Sequence, residues 1–216
     1  MTFSGWPAET VTWFKGLEAD NSKPYFTAHR RVYDEAVRGP LEALLAEIEA
    51  EFGEGKIFRP YRDVRFSADK SPYKTEAAAA VGPKQGGVYY VGVSADGIVA
   101  GAGYHGMQRD QLDRYRQAAA GTSGSALQKV VEAGERAGLE LYGDALKTAP
   151  RGYPVDHPRI RLLRLKDVIL MRREAPGAVM HTPEALDWVT AAWRTSGPLV
   201  DWLNRHVGAS GMAARR

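Results

Sequence analysis

GVYYVGVSADGIVAGAGY, residues 87–104, decides the architecture of this chain. Gly87 to Val93 is rich in strand-favouring residues, and Ile98 to Tyr104 returns in the same character. Between them Ser94-Ala95-Asp96-Gly97 reads as a hairpin turn, with Gly97 able to take the left-handed position. An antiparallel hairpin therefore stands at the centre of the protein.

Helical patterns lie on both sides of it. Pro7 suits a first helical position, and Val11, Phe14 and Leu17 follow at helical spacing, which predicts a helix over 7–19. Asp20-Asn21-Ser22 can end that helix and cap a second one over 23–37, which Gly39-Pro40 breaks or kinks. A third run follows Pro40, with Leu41, Leu44, Leu45, Ile48 and Phe52 inward, until Gly53 and Gly55 stop it. Ala77 to Val81 is a short strand before the hairpin. Beyond the hairpin, helices are expected over 108–119 and 125–137, with strands over 139–142 and 167–172. Pro183 opens a final helix, and Pro198 starts a separate last turn ending near His206. Residues 208–216 read as a frayed, disordered tail. Helices and strands come in blocks, so the fold class is α+β: one domain over 1–207, its antiparallel sheet centred on the 87–104 hairpin and packed by N- and C-terminal helices.

Composition narrows the function classes. The chain has 216 residues with no Cys, which removes disulfides, thiolate metal sites and a cysteine nucleophile. No basic region precedes an apolar run at the N-terminus, and no window reaches the length of a membrane span. A soluble, cytoplasmic protein with no membrane partner is the expectation. The formal net charge is only +3, too small a bias to argue for nucleic acid by itself.

The clustering of that charge is more informative. IFRPYRDVRFSADKSPYKT, residues 57–75, holds five cations (Arg59, Arg62, Arg65, Lys70 and Lys74) and two anions (Asp63 and Asp69). Phe58, Tyr61, Phe66 and Tyr73 are threaded among them. Arginines offer planar paired donors to phosphate or carboxylate, and lysines add mobile point charges. Asp63 and Asp69 either pair with the arginines or face a hard cation beside a bound phosphate. If both pair with Arg62 and Arg65, three cations remain, and an anion would relieve their repulsion. The bland alternative is an internal ion-pair network that fixes a loop.

The stretch RDVRFSADKSPYKT, followed by the hairpin and GAGYHGM, resembles an uncharacterised bacterial and fungal family, the domain of unknown function numbered 2461. WFKGLEADNSKPYF and LKTAPRGYPVDHPRIRLLRLKD extend the likeness over roughly Val11 to His206. Family members often carry Asn-Asn and then Trp-Phe where this chain has Asp20-Asn21 and Tyr25-Phe26. The resemblance implies a shared fold and assigns no activity, so no catalytic residue follows from it.

Other motifs are weaker. Gly101-Ala102-Gly103-Tyr104-His105-Gly106 matches G-x-G-x-x-G, but it leaves a hairpin rather than a βαβ unit, and 118–128 contains no acid. Close backbone approach explains those glycines better. The helix starting near Gln108 could still aim N–H groups at an anion. His29, His105, His157, His181 and His206 are scattered without metal spacing, so no metal site is expected. A second basic run, Arg159, Arg161, Arg164, Lys166, Arg172 and Arg173, reads as a solvated face or as part of a groove.

The site expected from these residues combines Arg62, Asp63, Arg65, Asp69, Lys70, Tyr73 and Lys74 with Tyr104 and His105 at the hairpin end. It would bind a phosphorylated or other anionic small molecule. Were chemistry to occur, Arg65 and Lys70 would stabilise charge, and His105 or Asp69 would move a proton. Two alternatives stand beside it: a nucleic-acid binding module, and a non-catalytic scaffold with internal ion pairs. Neither a cofactor nor an oligomeric state is indicated, and whether the protein is an enzyme is left open.

Overall fold

The computed structural model describes residues 2–65, 68–83 and 86–212. Phe66 of the charged segment lies outside the described residues. Among those described, six strands form one antiparallel sheet in the order β1-β2-β3-β4-β6-β5. They are β1 (Gly55–Ile57), β2 (Glu76–Val81), β3 (Val88–Ser94), β4 (Gly97–Tyr104), β5 (Glu140–Tyr142) and β6 (Val168–Glu174). β3 and β4 are the expected hairpin at the middle of that order, and Gly97 has φ +112° at its turn. The chain divides into two compact units. One comprises Met1–Val81, Tyr90–Ala100 and Arg173–Ala191; the other comprises Gly82–Tyr89, Gly101–Arg172 and Ala192–Arg216.

In the first unit, α1 (Ala8–Ala19) buries Phe14 and Leu17 as expected, with Thr10 and Trp13, while Val11 is only half-buried. Ser22 caps α2 (Lys23–Ala28) through the Tyr25 N–H. A short α3 (Arg30–Val32) and a π-helical turn over Tyr33–Arg38 then lead straight into α4 (Gly39–Phe52). The expected break at Gly39-Pro40 is absorbed by that wider turn, and Arg38 and Gly39 keep helical dihedrals. Pro40 has no N–H to offer the carbonyl four residues back. The buried Thr10 hydroxyl supplies the donor instead, reaching the Ala36 oxygen at 2.7 Å. Gly53, at φ +93°, ends α4. The core of this unit gathers Trp6, Phe14, Leu17, Val37, Leu41 and Leu44 with Ala79 and Val91 of the sheet.

In the second unit, α5 (Arg109–Ala120) and α6 (Gly124–Arg136) flank a core built on Tyr115, Leu127, Leu163, Leu170, Leu199 and Leu203. A Cβ at Gly101 or Gly103 would collide with β6 backbone at Leu170 and Val168, so these glycines permit strand-to-strand approach, as expected. α7 (Ile160–Leu163) contributes Leu162 and Leu163 to the same core. The guanidinium of Arg159 donates to the carbonyls of Ala119, Ala120 and Gly121, closing the C-terminal end of α5. Arg161 pairs with Glu135, and Arg164 donates to the Leu146 carbonyl. Much of the second basic run is thus tied into the fold rather than simply solvated.

After α8 (Ala178–His181), the last helix, α9 (Glu184–His206), runs unbroken through Pro198. This corrects the expected restart. A proline removes one intrahelical bond, but burial of Trp193, Leu199, Trp202 and Leu203 holds the segment helical across it. Beyond the helix, Arg114 donates to the Val207 and Ala209 carbonyls, and Asp110 accepts from Ser210 and Gly211. The chain is fastened as far as Gly211, and residues 213–216 lie outside those described.

Candidate functional site

The charged segment is a two-stranded ribbon with a loop at its tip. Pairing of β1 with β2 continues outward through the Phe58 N–H, which donates to the Ala78 carbonyl. Further out, the Arg62 N–H meets the Pro72 carbonyl at 2.9 Å and the Lys74 N–H meets the Pro60 carbonyl at 2.8 Å. Tyr61 and Tyr73 face each other across this bridge. Each proline sits where only its carbonyl is called on, which is why two prolines fit a paired ribbon.

Aromatic packing fixes the ribbon to the helices of the same unit. Tyr73 is 3% exposed, and its ring stacks on Phe26 at 4.2 Å with planes 3° apart. Tyr61 packs against Tyr73 at 5.3 Å, and Phe26 meets Trp13 edge-on at 5.7 Å. The Asn21 side chain both donates to and accepts from the Tyr73 backbone. The residues that make this segment look too aromatic for a loop are those that anchor it.

At the tip the two aspartates are taken up by two arginines. Asp63 receives the Arg65 guanidinium at 2.7 Å and its backbone N–H at 3.2 Å. These bonds hold the Asp63 carboxyl down at a pKa of about 2. Asp69 accepts from Ser71 and from Arg62, and it too is held at about 2. Lys70 donates to the Val64 carbonyl at 2.9 Å. Arg59 and Lys74 have no carboxylate of the described residues within salt-bridge distance. The Lys74 ammonium sits 5.4 Å above the Phe58 ring. Partial burial, together with the neighbouring Arg59, lowers its pKa, and only Glu76 acts in the other direction.

Just inside the ribbon lies a pair that reading the sequence did not single out. Tyr90 of β3 donates its hydroxyl to the Glu76 carboxylate of β2. Burial pushes the Glu76 pKa up, against the Tyr90 hydrogen bond and the charges of Arg173 and Lys74. Burial and the adjacent Glu76 likewise drive the Tyr90 phenol upward. Gly92 makes room: a Cβ there would stand 2.8 Å from the Glu76 carboxyl carbon and 2.9 Å from Val99. Phe58 borders the pair, its ring 6.4 Å from that of Tyr90. The available signal was Glu76 as the sole acid in an alanine-rich strand, EAAAAV. Tyr90 and the space at Gly92 both come from β3, the next strand, and no local pattern ties them to Glu76.

The remaining candidates belong to the second unit. Tyr104 is buried, with its hydroxyl donating to the Gly208 carbonyl and accepting from Gln111. His105 is exposed, with Nδ1 3.4 Å from Asp167, whose carboxylate also accepts from the N–H groups of Gly106 and Asp144. Gln108 and Gln111 cap the start of α5 reciprocally, engaging donors that an anion there would need. A groove of about 580 Å³ follows, lined by Met107, Arg109, Leu112, Arg116 and Arg151 among others.

Among the described residues, no group of three or more His, Asp or Glu is arranged to hold a metal ion. Among the same residues, no helix is long and apolar enough to cross a membrane. A family model described as a conserved hypothetical protein (DUF2461) matches residues 9–202. No curated protein matches the chain.

Proposed function

Because the chain belongs to the conserved hypothetical family DUF2461, whose description assigns no chemistry, we propose a function from the residues themselves: binding of a small phosphorylated or carboxylated molecule at the ribbon of the first unit. Arg59 and Lys74 are the primary contacts, and the loop residues Arg62, Arg65 and Lys70 surround the approach. One observation carries the reading. The two aspartates of the segment engage Arg65 and Arg62, which leaves Arg59 and Lys74 near each other with no carboxylate of the described residues at salt-bridge distance. Like charges held together, one of them partly desolvated, cost free energy that a bound anion returns.

The Glu76–Tyr90 pair supports the same location, since shifted titratable groups beside unneutralised cations mark functional sites more often than bare surface. The exposed rim, with Phe58 and Tyr61 both partly open, gives a ligand an apolar edge to rest against.

A thermal-shift panel tests the reading on wild type, Arg59→Ala, Lys74→Ala and Arg65→Ala. Nucleotides, sugar phosphates, carboxylates and short oligonucleotides are compared at two salt concentrations. A ligand at a hundred times its dissociation constant raises stability by about 2.7 kcal/mol. The expected result is a compound-specific shift that disappears in Lys74→Ala and Arg59→Ala. A response confined to oligonucleotides and abolished by salt moves the assignment to nucleic acid. A flat panel removes the anion reading.

A further inference from the structure

We infer that Glu76 takes up a proton when an anion binds beside Lys74, and that the resulting carboxylic acid donates a hydrogen bond to the ligand. This deepens the anion reading and rests on it. The ligand class it selects is a doubly charged tetrahedral oxyanion, such as a phosphate monoester. Two unneutralised cations match its two charges, and such a group carries an oxygen to spare for a third donor.

The geometry gives the carboxyl little other company. Glu76 stands on β2 in the space that Gly92 leaves open on β3, with the Tyr90 hydroxyl directed at it. The charged and titratable groups that act on it are Tyr90 from β3, Arg173 from β6 and Lys74 from the ribbon, with Arg59 beyond Lys74. Two cations and a phenol hydrogen bond acting on one carboxylate would normally keep it ionised. Burial outweighs them, and its pKa lies above the ordinary carboxylate value. The Tyr90 hydrogen bond, Arg173 and Lys74 hold the proton off, and a dianion beside Lys74 offsets the field of that cation and adds a negative charge of its own. The proton affinity of Glu76 must therefore rise further on binding, and by linkage the ligand binds more tightly where Glu76 is protonated.

A neutral carboxyl is also the better neighbour for a phosphoryl oxygen. An ionised Glu76 presents only acceptors to an oxygen that itself accepts, whereas the protonated form offers an O–H. Such charge-assisted O–H donors are short and strong. Tyr90 cannot replace it, because its hydroxyl is committed to Glu76.

The test is calorimetric titration of the whole chain with sulfate, a dianion that does not itself titrate across the range used. Runs in two buffers of different ionisation enthalpy count the protons taken up. Wild type is expected to take up close to one proton per sulfate above the Glu76 pKa, with affinity falling about tenfold per pH unit there. Glu76→Gln, whose amide can still accept from Tyr90, is expected to bind without proton uptake and with a flat pH profile. Tyr90→Phe removes a hydrogen bond that favours the ionised carboxyl, so it should move the weakening to higher pH. Sulfate binding that needs Lys74 but shows no proton uptake overturns this inference and leaves the anion reading standing. Absence of sulfate binding, or binding indifferent to Lys74→Ala and Arg59→Ala, overturns both.

Discussion

Asn21 holds Tyr73 by its backbone in both senses, donating from its amide nitrogen to the carbonyl at 3.1 Å and accepting the N–H at 3.0 Å. The contact joins the α1–α2 turn to the ribbon across 52 residues of chain. Lys74, whose ammonium lies over the Phe58 ring, is the next residue in the chain.

Asn21→Ala strips both bonds and leaves a part-buried N–H and C=O behind. The expected cost is about 1 to 3 kcal/mol, measured by chemical denaturation. Because Lys74 follows directly, the thermal response to anions should weaken by more than the stability loss explains. An unchanged ligand response in a destabilised variant would separate the anchor from the site.

Thr10→Val tests the helix junction. Valine keeps the shape but removes the donor from the Ala36 carbonyl, which Pro40 cannot serve. Destabilisation of about 1 to 3 kcal/mol is expected. A double change to Thr10→Val with Pro40→Ala should recover part of it, since alanine restores a backbone N–H near that carbonyl.

Gly92→Ala fills the space beside Glu76. The new methyl would meet the Glu76 carboxyl carbon at 2.8 Å and the Val99 side chain at 2.9 Å, so the carboxyl must move and the Val99 methyl must give way. Overpacking of this kind costs about 1 to 3 kcal/mol. Carbon-detected NMR of the Glu76 carboxyl should show its titration displaced from wild type, whereas a substitution such as Ala80→Gly, further along the same strand, should not displace it.

Asp110 makes the anchoring of the C-terminal residues dependent on pH. Hydrogen bonds from Ser210, Gly211 and Arg114 hold its carboxyl down at about 2, against a desolvation effect that acts upward. A depressed folded value means the stabilisation is present above the ordinary aspartate range and fades as pH falls through about 2. Hydrogen exchange at the Gly211 amide should be slow at neutral pH and fast in Asp110→Ala. Equal rates in the two proteins would show that Arg114 alone secures the tail.

The hairpin and the long amphipathic helices were legible because their signals are local: a turn with Gly97 in place, and apolar residues at helical spacing over whole turns. β1 was not, since Gly-Lys-Ile is too short to show alternation, and only pairing with β2 makes it a strand. Pro198 was read by its own chemistry, while the burial of residues on both sides of it decided the outcome. The ion pairs of Asp63 and Asp69 could be written down as one of two options from the local charge list. Glu76 and Tyr90 could not, because nothing local says that an acid between Thr75 and an alanine run will face a tyrosine 14 residues away. Arg159 was likewise invisible as a helix cap, its three carbonyl partners lying some 40 residues earlier in the chain.

The two outermost strands, β1 and β5, have three residues each. An edge of that length exposes only a few backbone groups, and Lys56 puts a charge at the middle of one of them. A second molecule seeking to extend the sheet would find too short a template and a cation in its way. Brevity at the margins is thus a guard against amyloid-like stacking, built into a sheet whose long strands are all kept inside.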